Sequence, residues 1–463
     1  VTTAAPAANE PVPGATPPLT PAASRPVRVL RALAAPFRFA RRHPRRAAFL
    51  AGLALVLAAG LAVAAVAVWF NYHLSAARRE VEAGHNAAAL KHLDACHSVD
   101  PEHRETLILS ARVARRSGSF DEAEAFLTHY GRRYGDADPL VLERLLLRAT
   151  RGEVEAVAPQ LVARAREGGP DARLAREGLI TGLVYRFRWG DADRLLAAWL
   201  AEAPDDTTAL VLRGKLDEQR QQNEAAAKTY RRVVELDPGH DDARLRLTTL
   251  LVANRFGEEA LTHLTELRRR LPSHPEVALQ WARALALQGR TAESRAAVAA
   301  CLAAHPDYPG ALAERGGAAL VDGDEAAAER DLGRAARLDP GSMAVRSQYA
   351  LVLARAGKAA EAAREQAEAD TLKADAERVT ALIEGPLQAR PNDPAVPHEI
   401  AQIALRAGQI REALRWYEAA LRADPDHLPT HRVLAALHRE LENPALAARH
   451  RAIAQQLTAR QKQ

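Results

Sequence analysis

Only two cysteines and one methionine occur in 463 residues, and aromatic side chains make up 5%. Cys96 and Cys301 are too few for a disulfide-stapled fold, and there is no CxxC pair for a zinc or redox motif. Lysine is nearly missing: 6 Lys accompany 57 Arg. Runs of β-branched residues are scarce, which leaves little material for strands. P-loop, GxSxG and HExxH signatures are absent, so no enzyme class is indicated. The strong helix formers Ala, Leu, Arg and Glu dominate, and an all-α fold without strands is expected. A chain this long exceeds the size of one globular core, about 250 to 300 residues, so several domains or a repeat array must account for it.

The arginine bias and the single Met343, with Val1 at the start, read as a GC-rich bacterial open reading frame begun at GTG, expected to be complete. The formal net charge is +5. Its distribution is uneven: residues 1–46 carry eight arginines against Glu10 alone, a balance of +7 that leaves −2 for the rest. Without a basic stripe in the body there is nothing to supply counterion release, and no nucleic-acid partner is expected.

Residues 1–24 are rich in Pro and Ala without apolar periodicity and are expected to be disordered. In the basic stretch that follows, Val27, Leu30, Leu33 and Phe37 fall at helical spacing. Two readings are open there, contact with an anionic leaflet or a plain topology signal. Ala47 to Phe70 is free of charge over 24 residues, about 36 Å of helix against a hydrocarbon core of about 30 Å. A transmembrane helix at 47–70, an uncleaved signal-anchor, is expected; a cleaved signal peptide would have a shorter apolar core and fewer residues before it. Arginines crowd the amino-terminal flank, so the positive-inside rule puts residues 1–46 in the cytoplasm. The body then lies in the periplasm of a single-pass inner-membrane protein, with Trp69 and Tyr72 at the far interface. No Gly or Pro lies between Leu61 and Ala83, which favours one helix continuing from the membrane segment into the body.

The body repeats. Pro170, Pro204, Pro238, Pro272, Pro306 and Pro340 are spaced by 34 residues. A second series in the same period runs Gly84, Gly118, Gly152, Phe187, Gln221, Arg255, Gly289, Gly323 and Gly357, and after 51 residues Gly408 and Glu442. Five places after the mark stands a small residue in ten of the eleven motifs, among them Ala226, Ala260, Ala328, Ala362 and Ala413, which lets two helices approach closely. The interval between the marks at 152 and 187 is 35 residues, and Gly135 and Gly169 stand where a closing proline is expected, so the second and third units should be distorted. The long interval from Gly357 to Gly408 predicts an extra half-unit or lengthened helix at 377–393, centred near 371–388, with Pro386 ending or kinking it. The first block of the array is placed at 71–376 and the last two units at 394–463.

With GKAAEA at 357–362, GQIREA at 408–413 and Asp-Pro closing the units, the pattern resembles the tetratricopeptide repeat over about residues 70 to 460. The resemblance implies about eleven helix-turn-helix units stacked in a right-handed superhelix whose concave groove holds proteins or peptides, without cofactors. It implies that groove residues lie 13, 10 and 6 places before each turn mark, which selects Val211, Lys215, Leu245, Thr249, Leu279 and Arg283. The middle column is mostly apolar in its first seven units, which suits hydrophobic anchors of a peptide, although packing against neighbouring helices explains it equally well. No unit has Lys in that column, so capture of a partner's terminal carboxylate is disfavoured. His92 and Cys96 share a helix face at a spacing suited to a metal, but Cys96 and Cys301 occupy a small-residue position where a buried Cys is ordinary packing. His427 and His431 are separated by Pro429, which argues against one shared face. The expected function is a membrane-anchored scaffold for protein–protein interaction in bacterial envelope assembly, secretion or quality control. The alternative is an accessory subunit that presents substrate to a membrane-bound enzyme complex.

Overall fold

A computed structural model describes residues 44–390 and 392–461. The expectations for the disordered tail and most of the basic stretch fall on residues 1–43, outside the described residues. The chain divides into two units, residues 1–73 and 74–463. In the first, helix α1 (Pro44–Ala83) begins and runs on past the boundary. Its apolar side chains, such as Phe49, Val56, Leu61 and Val68, are exposed. It is the one helix among the described residues long and apolar enough to cross a membrane.

The second unit is helical throughout its described residues. In order it contains α2 (Asn86–Val99), α3 (Arg104–Arg116), α4 (Phe120–Tyr134), α5 (Asp138–Arg148), α6 (Val154–Glu167), α7 (Pro170–Tyr185), α8 (Trp189–Glu202), α9 (Thr207–Gln219), α10 (Asn223–Leu236), α11 (Asp241–Ala253), α12 (Gly257–Arg270) and α13 (Pro275–Leu287). It continues with α14 (Thr291–Ala304), α15 (Pro309–Asp322), α16 (Glu325–Leu338), α17 (Met343–Arg355), α18 (Ala359–Glu384), α19 (Pro386–Ala389), α20 (Ala395–Arg406), α21 (Ile410–Ala423), α22 (Leu428–Glu440) and α23 (Pro444–Arg460). Counting α1, these make eleven helix-turn-helix pairs, with the short α19 between them.

All eleven turns pass through the left-handed region at the residue that marks the period. Gly84, Gly118, Gly152, Gly289, Gly323, Gly357 and Gly408 have φ between 72° and 90°, and Phe187, Gln221, Arg255 and Glu442 have φ of 55° to 65°. In ten of them the amide two places past the last helical turn reaches back five residues, as in Ser119 to Ala114 (2.9 Å) and Gln222 to Asp217 (2.8 Å). This pairing uses carbonyls that the helix end would otherwise leave without donors, and it requires a residue that tolerates positive φ. The turn at Gly152 differs: the chain stays coiled from Ala149 to Glu153 around a φ of 90°.

The small side chains five places after the turn form the tightest packing. Ala226, Ala260, Ala328 and Ala413 are wholly buried, and Ala362 is 8% exposed. Pro204, Pro238, Pro272, Pro306 and Pro340 follow helix ends, whereas Pro170 opens α7 at its first position, where a missing amide hydrogen costs nothing. The long interval of the period is filled by α18, at 26 residues the longest helix of the second unit, and Gly385 separates it from α19, which Pro386 begins.

Candidate functional site

Among the described residues the inner helices of the second unit border several hollows, three of them lined by four or more helices. The largest, about 1010 Å³, lies along α13, α15 and the start of α17. Leu279 and Arg283 line it, with Ala313, Gly317 and Val321. Leu279 is only 3% exposed, so most of its side chain packs against its neighbours, while Val321 is 84% exposed. Arg283 Nε donates to Glu314 Oε1 at 2.6 Å, which holds one edge. A Cβ on Gly317 would meet nothing nearer than Gln348 Oε1 at 3.6 Å, so the floor there has room.

The second hollow, about 330 Å³, includes Val211 and Lys215. On its lining Arg116 makes a two-pronged bond with Glu177 (2.6 and 2.8 Å), and its third arm donates to the Val81 carbonyl at 2.6 Å. Arg112 and Arg115 bond Glu143 at 2.5 and 3.4 Å. Burial alone would raise the Glu177 carboxyl, but the Arg116 and Arg115 guanidiniums outweigh it and hold it well below the usual carboxylate range. Burial lowers the Lys215 ammonium, whose nearest carboxylate, Asp242, is 3.9 Å away. His240, 4% exposed, is pushed down to about 4 by burial and then by the neighbouring His85. His85 itself spans to Asp237 at 2.6 Å, joining α1–α2 to the turn after α10.

Leu245 and Thr249 border none of the three hollows; Leu245 is half-buried, and the Thr249 hydroxyl donates to its carbonyl at 3.0 Å. Of the middle column, Leu74, Ile108, Leu142, Glu177, Val211 and Leu279 are all at most 8% exposed. Their side chains pack between neighbouring helices, while Ala313, Gly317 and Lys215 are partly exposed.

The third hollow, about 890 Å³, is bordered by segments far apart in sequence: residues 187–189, 219–222, 341–343, 372–388 and 400–416. It exists because α20 and α21 pack back on an earlier part of the array. Trp416 stacks on Phe187 with ring centroids 3.8 Å apart and planes within 10°. The Arg415 guanidinium lies 4.8 Å over Tyr185 and 4.9 Å over Phe187. Gln388 Nε2 donates to the Phe187 carbonyl at 3.3 Å, and Arg422 to the Arg151 carbonyl at 3.2 Å. The sequence holds no specific sign of this place: Phe187 and Gln221 lack the turn glycine, but so do Arg255 and Glu442, which lie away from it.

Among the described residues no group of three or more His, Cys, Asp or Glu side chains is arranged to hold a metal ion. Cys96 and Cys301 are buried. Pro429 lies in the first turn of α22 rather than breaking a face, and the two histidines beside it diverge: His427 meets Thr430 at 2.7 Å, and His431 meets His450 at 2.9 Å.

Family models described as tetratricopeptide repeat match residues 80–145, 178–241, 245–309, 279–342 and 398–427, together more than half of the chain. No curated protein matches it. Similar solved structures include PilW, described as a widely conserved type IV pilus biogenesis factor, at 15% identity, covering 43% of this chain and 93% of that one with a TM-score of 0.37. A tetratricopeptide repeat protein from Parabacteroides merdae is 17% identical, covering 62% and 99%, with a TM-score of 0.30. The Cut9–Hcn1 hetero-tetramer of the APC/C gives 12% identity over 84% and 94%, with a TM-score of 0.31.

Proposed function

This chain belongs to the tetratricopeptide repeat family, and on that premise we propose that it is a membrane-anchored scaffold that docks partner proteins or peptides on the groove of its repeats. Residues 47–70 are the anchor, residues 1–46 face the cytoplasm, and the repeats work in the periplasm, in envelope assembly, secretion or quality control. The anchor reading rests on the apolar, exposed and charge-free face of α1. No catalytic step and no cofactor is assigned to the chain.

The observation that carries the docking role is the groove over α13, α15 and α17, where Val321 is left 84% exposed above a floor with space at Gly317. Exposed apolar surface beside unfilled volume is what a partner's side chains would cover. A photo-reactive residue placed at Ala313 in the groove should give discrete cross-linked products in cells, and one at Leu90, exposed on α2, should give none. Equal labelling at both positions, or none at Ala313, refutes the groove as the docking surface. The topology is tested separately by protease digestion of a carboxy-terminal tag in intact spheroplasts; protection of the tag beside an intact cytoplasmic control overturns the orientation.

A further inference from the structure

The repeat code accounts for the first hollow, and for the second apart from Arg415 at its edge, as spaces between stacked inner helices. It does not explain the third. The cleft of about 890 Å³ forms where three departures from the code converge. Two of its edges are the turns at Phe187 and Gln221, whose φ values of 60° and 57° stand where glycine would be relaxed. One wall is α18, the helix that fills the long interval of the period. Non-glycine residues held in the left-handed region cluster at places where the strained conformation has a use, and here the strain aims Phe187 at Trp416 and sets Gln221 on the rim.

The lining has a distinct chemistry. Gln219, Gln221, Gln222, Gln388 and Gln409 border the cleft, a third of the fifteen glutamines in the chain. Between them lie aliphatic and aromatic groups, among them Val379, Ile383, Ile403 and Trp189. The three cationic and four acidic residues at its edges nearly cancel, and two of the acids are already engaged, Asp375 by Arg406 at 2.6 Å and Glu412 by Arg415 at 3.0 Å. The cavity around Lys215 differs, with five cations against three carboxylates. A side-chain amide offers both donors and an acceptor without charge. A wall that combines such amides with apolar groups matches a peptide backbone carrying uncharged side chains, and a rim whose charges nearly cancel offers no excess of either sign to offset the desolvation of a charged ligand.

We infer that this cleft is a second binding site, distinct from the groove of the inner helices, which takes an uncharged, apolar-rich peptide segment in extended form. The inference rests on the reading of the chain as a protein-binding scaffold and adds to it a separate site and a ligand class. Part of the cleft's signal is built in, because Trp189 and Trp416, two of the five tryptophans, line it.

The test uses the full chain in nanodiscs and capped, dye-labelled nonapeptides of Val, Ile, Asn and Gly, with matched sets carrying Glu or Lys at alternate positions. Binding is read by anisotropy and by tryptophan emission. The neutral set should bind at least ten-fold more tightly than either charged set. Ala376→Trp, on the exposed wall of α18, should weaken it ten-fold or more, and Ala313→Trp in the other groove should leave it unchanged, both variants melting as the parent does. Gln221→Gly should weaken binding while raising the melting temperature, an opposition that a purely structural turn would not give. Neutral peptides that bind but respond only to Ala313→Trp overturn the cleft while leaving the scaffold reading intact. Tighter binding of a charged set overturns the ligand class, and the absence of neutral-peptide binding overturns the inference outright.

Discussion

Substitution of Trp416 separates a linear stack from one that folds back on itself. In a linear array each unit touches only its neighbours, so a lesion in α21 should disturb α20 to α22 and no further. Here the Trp416 ring is 2% exposed and lies 3.8 Å from Phe187, more than six periods away. Truncation to Ala should cost about 3 to 5 kcal/mol, the usual range for a buried Trp, but that loss alone would not say which contact it reports. A double-mutant cycle does. Phe187→Leu and Trp416→Leu, alone and together, should give a coupling energy of about 1 kcal/mol, as for a stacked aromatic pair beyond its area burial. The Arg415 guanidinium over both rings makes the coupling larger rather than smaller. Urea unfolding supplies the energies. Hydrogen exchange supplies the location: Trp416→Leu should speed exchange at the Phe187 and Arg188 amides, which bond the carbonyls of Val184 and Leu183 in the wild-type protein. A coupling below about 0.3 kcal/mol, within the additivity expected of distant sites, with unchanged exchange at residues 183–189, would show that the two segments do not support each other.

Three other outcomes follow from the packing and charge of the array. Ala260 is wholly buried in the small-residue column, so Ala260→Leu should lose about 1 to 3 kcal/mol by overpacking, read from the urea midpoint. Glu177, 5% exposed, holds Arg116 and shares Arg115 with Glu143; Glu177→Ala leaves the Arg116 guanidinium without its carboxylate and should lose about 3 kcal/mol in thermal unfolding. The His240 imidazole, pushed down to about 4 in the folded chain, binds its proton more readily once unfolded. Its contribution is therefore complete above about pH 6.5 and is lost as pH falls toward 4, up to about 3 kcal/mol, so His240→Gln should flatten stability against pH across that window.

The helices and their turns were legible because each rests on a local requirement that recurs every 34 residues. A left-handed residue is needed at every turn, and glycine at seven of the eleven announces it. The long interval after Gly357 was visible for the same reason, since it breaks the count. Pro170 shares the 34-residue spacing but opens α7, and Gly169 stands at the closing place, as the count from Gly152 indicates. The candidate groove was legible only in part. Counting back from the turn finds the inward column, but burial depends on neighbouring units, and Val211 and Leu279 prove to be mostly covered while Thr249 is open. The fold-back was not legible at all. Phe187, Arg415 and Trp416 meet across more than two hundred residues, and a repeat code carries information about adjacent units only.

The four turns without glycine provide a control on this reasoning, because they share a backbone and differ in what their side chains touch. Each residue other than glycine in the left-handed region costs about 1 to 2 kcal/mol, and replacement by glycine recovers this less the roughly 0.5 to 1 kcal/mol of added chain entropy. Arg255 is exposed at φ 65° and, among the described residues, has no ring or carboxylate partner. Arg255→Gly should therefore raise stability by about 0.5 kcal/mol. Phe187 has nearly the same φ, 60°, yet it is 7% exposed, belongs to the core of the last units and carries the stack with Trp416. Phe187→Gly relieves the same strain but removes a buried aromatic side chain worth about 3 to 5 kcal/mol, so the net change should be a loss of about 3 kcal/mol. The two substitutions, compared in one urea series, should move in opposite directions. A gain at both would mean that the Phe187 ring contributes little and that the fold-back is held by other contacts; a loss at both would mean that the left-handed strain assigned to these turns is smaller than the entropy of a glycine.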